Sequence, residues 1–278
     1  MYVRPKTLDQ ALGALAERPW LVLSGGTDFY PALGENPVRG SVIDVSALRE
    51  LRGVAVSGEY FRIGGLTTWS EIIRAPLPRC FDALKSAARE VGSVQIQNRG
   101  TVAGNLCNAS PAADGVPPLL ALDAEVELSS RAAVRRVVIS EFITGNRKTL
   151  RRADELLTAV LVPRGMDDAA SSFVKLGARR YLVISIAMVA VVVLADGAGR
   201  VGDARVAVGS CSVVARRLRK LERDLVGAVL RDGFADKVRP EHLLALAPID
   251  DVRATAAYRM DATRTLVERA LNLCVGMA

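Results

Sequence analysis

Apolar and polar positions alternate with a period that changes several times along the chain, and each change predicts an element. In PKTLDQALGALA, residues 5–16, apolar side chains recur at helical spacing behind Thr7, a good N-cap, which predicts a short amphipathic helix. Trp20–Leu23, Ser41–Val45 and Tyr60–Ile63 are apolar runs of strand length, the last stopping at Gly64 and Gly65. Thr68-Trp69-Ser70-Glu71 has the Thr-x-x-Glu form of a capping box and predicts a helix through Ile73, with a longer one over Arg79–Val91. Strands return at Ala124–Leu128, Arg135–Ile139 and Leu156–Val162, which ends at Pro163.

Between Gly92 and Asp123 the periodicity lapses. GSVQIQNRGTVAGNLCNASPAADGVPPLLALD is dense in Gly, Asn, Ser and Pro and reads as turns around short extended pieces. A loop of that length inside a compact domain is usually functional. After a link around Arg164–Ser172, the runs Leu182–Leu194 and Val201–Gly209 predict a β-hairpin across the turn Asp196–Gly199. Helical patterns close the chain, the last over Ala254–Leu273, and no internal repeat is evident.

Length and composition narrow the classes. With 278 residues, half of them hydrophobic, the chain can bury one large core or two or three smaller ones. Leu182–Leu194, the longest apolar run, falls short of the roughly 20 residues of a membrane span and is rich in β-branched residues, which suits a buried strand. The N-terminus, MYVRPKTLDQ, carries neither an apolar signal core nor a twin arginine, so cytoplasmic residence is the default expectation.

Cys80, Cys107, Cys211 and Cys274 lie far apart and His242 is the sole histidine, a pattern without metal-ligand spacing that predicts buried free thiols. The net charge of +7 comes mostly from scattered arginines. The cluster Arg216, Arg217, Arg219 and Lys220 has no interleaved aromatics, so a solvated helix face or a protein contact is expected there rather than a nucleic-acid surface.

Candidate chemistry concentrates in two glycine-containing segments. In Ser24-Gly25-Gly26-Thr27-Asp28 the glycines let backbone approach a ligand closely, and turn amides with the Thr27 hydroxyl can donate to an anion such as a diphosphate. The segment has neither G-x-G-x-x-G nor the lysine of a P-loop, and taken alone it is better accounted for by a plain glycine turn after a strand. Arg99-Gly100-Thr101-Val102-Ala103-Gly104-Asn105 has the same character, and the two could share one extended diphosphate. Downstream, Asp114 reads either as an acceptor for a polyol or as a helix N-cap. His242, remote in sequence from both segments, offers no Ser/His/Asp arrangement, and no paired carboxylates stand out.

SGGTD, then QIQNRGTVAGNLCNASPAAD, PPLLALDAEVEL, DELLTAVLVP, FVKLGARRYLVISIA, VAVGSC and YRMDATRTLVERAL, in that order over nearly the whole chain, resemble the flavin-binding subunit of the molybdenum hydroxylases. This is the group of xanthine dehydrogenase and aerobic carbon monoxide dehydrogenase. The resemblance implies an α+β chain with the vanillyl-alcohol-oxidase-like (PCMH-type) FAD-binding fold. Two small α/β subdomains, 1–55 and 56–170, would hold FAD, and a C-terminal domain, 171–278, would have a three-stranded antiparallel sheet and helices.

It also implies a cofactor site. Val22, Leu23, Ser24, Gly25, Gly26, Thr27, Asp28 and Phe29 would line the FAD diphosphate together with Thr101, Val102, Ala103, Gly104 and Asn105. Asp114 would match the family's acidic contact, Leu157 a backbone contact near the flavin ring, and Lys175 the lysine close to that ring. A fixed cation there would stabilise the negative charge of the reduced flavin. The sequence departs from the pattern at Ala103, where the family has a glycine, and a methyl group is tolerated there only at negative φ. It departs again at Val91, where the animal xanthine enzymes have an aromatic, and in RRYLVIS, which lacks the aspartate that often follows the arginine pair.

The implied partners are an iron–sulfur small subunit with two 2Fe–2S clusters and a molybdenum-cofactor large subunit, in a hetero-oligomer expected to be a dimer of heterotrimers. Electrons would arrive on FAD from the clusters and leave to an external acceptor, with no substrate site, nucleic acid or membrane span in this chain. The absence of cluster-binding cysteines separates it from the benzoyl-CoA-type flavin subunits. A free-standing FAD oxidase of the vanillyl-alcohol-oxidase-like group, and a binding protein whose cofactor site has decayed, are the alternatives.

Overall fold

In a computed structural model, which describes residues 1–231 and 233–276, the chain forms three successive sheet-and-helix units, each around its own cluster of buried side chains. The first unit joins β1 (Tyr2–Val3), β2 (Leu21–Leu23) and β3 (Val42–Asp44) in a parallel sheet of order β1-β3-β2. Thr7 caps α1 (Leu8–Glu17) by accepting the Gln10 amide, and Ala11, Leu12 and Leu15 on its inner face pack against Ile43 and Leu48. Because β2 is an edge strand, the chain leaving it toward α2 (Phe29–Leu33) is free to turn into the open.

The second unit begins with β4 (Val54–Ser57) and β5 (Tyr60–Gly64), and with α3 (Trp69–Arg74), whose capping box forms between Thr68 and Glu71 as its sequence predicts. After α4 (Asp82–Glu90) the glycine-rich stretch departs from the extended pieces expected of it. It holds α5 (Val94–Gln97), α6 (Val102–Asn108) and α7 (Val116–Ala121).

These helices are too short to display a helical period and too short to be stable alone. Burial makes them: Val102, Leu106 and Leu119 are completely inaccessible, Thr101 caps α6 through the Gly104 amide, and two prolines open α7. Then follow β6 (Glu125–Ser129), β7 (Val134–Val138), α8 (Ile139–Phe142), the hairpin of β8 (Ile143–Gly145) and β9 (Lys148–Thr149), and β10 (Leu156–Pro163). The antiparallel order β4-β5-β10-β6-β7 puts β10 at the centre, which explains why nearly every one of its residues is buried.

The third unit is an antiparallel sheet of β11 (Ala170–Leu176), β12 (Ala187–Ala195), β13 (Val201–Gly209) and β14 (Arg216–Arg217). The three long strands expected from the resemblance are present, with the two-residue β14 added at the edge. The sequence pattern placed a link where β11 begins and started β12 five residues early, since Leu182–Ile186 lies in a loop and Leu182 has φ of 53°. One face of this sheet packs on α4 and α7, the other on α9 (Arg219–Leu225) and α10 (Ala256–Val275).

Polar groups in this unit are structural. His242 is buried, its Nδ1 accepting the Arg239 amide and its Nε2 lying 3.0 Å from Asp224 Oδ2, far from any nucleophile. Arg217, expected on a solvated face, is buried instead, held by Glu222 and, at 2.7 Å, by Asp123 Oδ1. Cys80, Cys211 and Cys274 are buried and Cys107 half-buried; burial pushes the Cys80 thiol up to about 12 and those of Cys107 and Cys274 to about 11, so they stay protonated. Among the described residues no helix is long and apolar enough to cross a membrane, and no cluster of potential metal ligands occurs.

Arg259, also buried, donates to Asp251 Oδ1 at 2.7 Å. The Arg253 amide first, against a modest desolvation, and then the Arg259 guanidinium hold the Asp251 carboxyl down to about 2 from 3.8. A depressed carboxyl stabilises the fold fully above its unfolded value and loses that contribution as pH falls through the folded one. The thermal midpoint is therefore expected to drop between pH 4 and 2, by an amount that solvent screening keeps small. Asp251→Asn should flatten that segment of the pH–stability curve; an unchanged slope would exclude this origin.

Candidate functional site

The loop after β2 and the start of α6 meet directly. A Cβ on Gly25 would stand 2.0 Å from the Arg99 carbonyl oxygen, and Ser24 Oγ lies 3.1 Å from Thr101 Oγ1. Gly26 turns the chain at φ of 77°, a left-handed conformation that suits glycine. A Cβ on Gly104 would fall 2.8 Å from Thr101 Oγ1 and 3.2 Å from Ser24 Oγ. Glycine at these positions lets two backbones pack together instead of leaving a gap between them.

The two segments differ in what their amides do. Val102 donates to the Thr67 carbonyl, Ala103 to Gly65 at 3.0 Å, Gly104 to the Thr101 hydroxyl and Asn105 to the Thr101 carbonyl. Each is committed to the scaffold. By contrast, the amides of Gly25, Gly26, Thr27, Asp28 and Phe29 have no acceptor among the described residues. These donors lie in the lining of the large cleft, where a ligand can accept from them.

The row faces a cleft of about 830 Å³ between the first two units, lined also by Trp69, Thr101, Asn105 and Leu157. Asn105 Oδ1 is buried there without a partner. The cleft is large enough for a cofactor and supplies donors rather than cations at the β2 loop, which suits an anion bound through backbone dipoles.

Of the residues singled out from sequence, Val22, Ser24 through Phe29, Thr101, Ala103, Gly104, Asn105 and Leu157 line this cleft. Leu23 and Val102 point away into the packed interior. Asp114 does not line it: both carboxylate oxygens are engaged by the third unit, Oδ2 by Lys175 Nζ at 2.8 Å and Oδ1 by the Ser185 hydroxyl at 2.6 Å. Burial raises its carboxyl above the ordinary range, with the Lys175 ammonium and then the Ser185 hydroxyl pulling the other way.

Lys175, itself buried, also donates to the Glu90 carbonyl at 3.3 Å, immediately before Val91 in the cleft wall. It borders a second pocket of about 360 Å³ with Ser86, Phe173, Arg179 and Arg180. The ion pair thus stands behind the wall of the large cleft and ties the second unit to the third.

Sequence reasoning missed Trp69, Arg147, Thr149 and Arg151, which also line the cleft. The place of Trp69 is set by tertiary packing, with Gly115 so close on its ring that a Cβ would lie 2.3 Å away. The β8–β9 hairpin carried no sign in the sequence, since its tip reaches the cleft only through tertiary folding, where the Arg147 amide donates to the Ala109 carbonyl at 2.9 Å.

Comparison with known proteins matches residues 1–165 to the model described as the FAD binding domain in molybdopterin dehydrogenase, and residues 172–273 to the CO dehydrogenase flavoprotein C-terminal domain. The chain is 35% identical over 237 residues to the nicotinate dehydrogenase FAD-subunit of Eubacterium barkeri, covering 82% of this chain and 80% of that one. It is 30% identical to the xanthine dehydrogenase FAD-binding subunit of Escherichia coli O157:H7, covering 100% and 96%. Among solved structures, a chain of the carbon monoxide dehydrogenase from Hydrogenophaga pseudoflava superposes with a TM-score of 0.88 at 25% identity, over 99% of this chain and 96% of that one. A chain of quinoline 2-oxidoreductase from Pseudomonas putida 86 shares the fold, with a TM-score of 0.90 at 24% identity over 100% and 97%.

Proposed function

Because this chain belongs to the family of flavoproteins with the FAD-binding domain of molybdopterin dehydrogenases, we propose that it carries electrons within a multi-subunit molybdenum hydroxylase. It receives them on FAD from 2Fe–2S clusters of a partner subunit and delivers them to an external acceptor. A large partner subunit holds the molybdenum cofactor and oxidises the substrate, and the whole is a dimer of heterotrimers. The relatives named as FAD subunits of xanthine and nicotinate dehydrogenases support this reading. The proposed division into FAD-binding segments 1–55 and 56–170 and a covering domain 171–278 follows the three main sheets only approximately, since β4 (Val54–Ser57) crosses the first boundary and β11 begins at Ala170.

The observation that carries the proposal is the row of five open amides from Gly25 to Phe29 over the large cleft. These residues fit FAD: the amides and the Thr27 hydroxyl bind the diphosphate, with Ser24 and Thr101 beside them and Val22 and Leu157 along the walls. Bound FAD supplies the redox chemistry, accepting and releasing electrons between the clusters and the acceptor. Ala103 and Gly104 shape the floor, Leu23 and Val102 support it from behind, and the Asn105 side chain offers its unpartnered oxygen to the cofactor. Lys175, fixed by Asp114, supplies positive potential at the Glu90–Val91 wall, where it stabilises a reduced, negatively charged ring. Asp114 acts through Lys175 and is a positioning residue.

Flavin content of the purified complex, with potentiometry of the bound flavin and mass measurement of the assembly, tests the reading. A folded chain that never takes up FAD would overturn it, and turnover of a small electron donor by the chain without partners would favour a free-standing oxidase.

Ala103 lies within α6 and is absent from the residues of positive φ, so its methyl group imposes no backbone strain there. Ala103→Gly is expected to lower stability by about 1 kcal/mol, the cost of glycine inside a helix. FAD affinity should stay within about twofold, because the Ala103 amide remains committed to Gly65. Melting curves and flavin titration check this; affinity gained on introducing glycine would show the methyl group to be obstructive.

A further inference from the structure

The positive charge of this chain is concentrated. Between Arg131 and Arg152 there are seven Lys and Arg residues against Glu141 alone, a net of +6, so this short stretch accounts for nearly all of the chain's +7. The arginines are thus less scattered than they first read: the excess charge occupies β7, the β8–β9 hairpin and the segment leading to β10. Of the seven cations, only Arg135 has a carboxylate partner among the described residues, Glu155 at 2.6 Å.

The densest part, Arg147-Lys148-Thr149-Leu150-Arg151-Arg152, is built into the scaffold. Arg147 occupies the hairpin tip at φ of 58°, a left-handed conformation that glycine would adopt without strain. It is held there by its amide bond to Ala109 and by its guanidinium on Asn108, both at the end of α6. Arg151 Nη1 donates to the Arg152 and Glu155 carbonyls, leaving its charge unneutralised, and Arg135 reaches the Leu150 carbonyl from the neighbouring strand. Lys148 and Arg152 are exposed, as is Leu150 at 42%. The cations and Leu150 form one surface, and it runs into the large cleft at Arg147, Thr149 and Arg151.

We propose that Arg147–Arg152 is the docking surface for an acidic face on the partner protein that delivers electrons to this chain. The proposal rests on the electron-transfer reading above and adds to it the site of approach. Arginine interleaved with exposed aliphatic surface suits a protein interface. Residues 139–152 present no exposed aromatic on which a nucleic-acid base would stack. Unpaired cations on a rim steer an oppositely charged partner and fix its orientation. A protein seated on this rim stands beside the cleft that Arg147, Thr149 and Arg151 line.

The test compares the co-expressed hetero-oligomer with one carrying Lys148→Glu and Arg152→Glu, two exposed residues outside the cleft lining. Subunit association is followed by mass measurement across a salt series. The charge-reversed complex is expected to associate roughly tenfold or more weakly and to lose most of its salt dependence, while FAD per chain and melting temperature stay unchanged. Lys148→Gln with Arg152→Gln should fall between the two, and Arg216→Glu with Lys220→Glu, on a different exposed basic cluster, should leave association unaltered.

Association within about twofold of the parent would overturn the proposal, as would an equal loss in the Arg216/Lys220 variant. An intact complex with weakened affinity for an anionic acceptor would also overturn it, assigning the patch to that acceptor. Loss of bound nucleic acid as the sole change would do the same. If the unmodified complex assembles salt-dependently through this patch but contains no FAD, the function reading fails and the docking surface stands.

Discussion

Gly25→Ala is expected to abolish retention of FAD and to lower stability by several kcal/mol. The new methyl carbon would lie 2.0 Å from the Arg99 carbonyl oxygen and 2.7 Å from its carbon, both backbone atoms. No rotamer change relieves that contact, so the β2 loop or the Arg99–Gly100 turn must move. Overpacking of this kind costs typically ~1–3 kcal/mol when side chains absorb it, and more when backbone must. A displaced loop also carries the five open amides away from the cofactor, so a weakening of FAD binding by about 100-fold or more is expected. Gly104→Ala is the graded comparison, because its methyl group would meet the Thr101 and Ser24 hydroxyls, which can rotate. Flavin content after gel filtration, with melting curves of both variants, decides the matter. Full FAD occupancy in Gly25→Ala would mean that the contact between the two segments is not what aligns the amides.

Asp114→Ala carries the second large effect. It removes the carboxylate paired with Lys175, a side chain only 7% exposed, and frees the Ser185 hydroxyl in the same step. Removing one partner of a buried ion pair typically costs about 3–5 kcal/mol, because the remaining charge is left in a poor solvent. Replacing both partners, Asp114→Leu with Lys175→Met, removes the uncompensated charge and should recover much of that stability.

The flavin separates the structural part of this pair from the redox part. On the proposed placement of Lys175 near the flavin, the double variant removes that cation, so the midpoint potential of the bound flavin should fall even though the fold recovers. Chemical denaturation and potentiometry of the two variants test this together. A double variant with restored stability and an unshifted potential would leave Lys175 a purely structural role.

The three long sheet runs, the Thr68 capping box and the final helix were legible because each depends on neighbours in sequence. A strand buried on one face repeats every second residue, a helix every third or fourth, and a cap needs only its own first turn. SGGTD and RGTVAGN were legible as unusual for a related reason, since glycine and hydroxyl residues mark places where backbone is approached closely.

The short helices α5, α6 and α7 escaped, because four to seven residues cannot display a period, and their glycine, asparagine and proline content argues for turns. The basic surface was missed because its cations were weighed against the whole chain rather than within the 22 residues that hold them. Its placement on the rim of the cleft depends on the Arg147–Ala109 contact, which spans 38 positions.

By itself the sequence determined the longer strands and helices, the family motifs and the positions where backbone is approached closely. The tertiary structure decided which of those positions have chemistry left to give. A backbone amide is available to a ligand only if nothing else accepts from it, and its acceptor is usually brought there by a distant part of the chain. Gly65 and Thr67 consume the amides of Ala103 and Val102, while no described residue accepts from those of Gly25 to Phe29. Two segments that look alike as strings of residues thus part company, one becoming the floor of the cleft and the other its donor row.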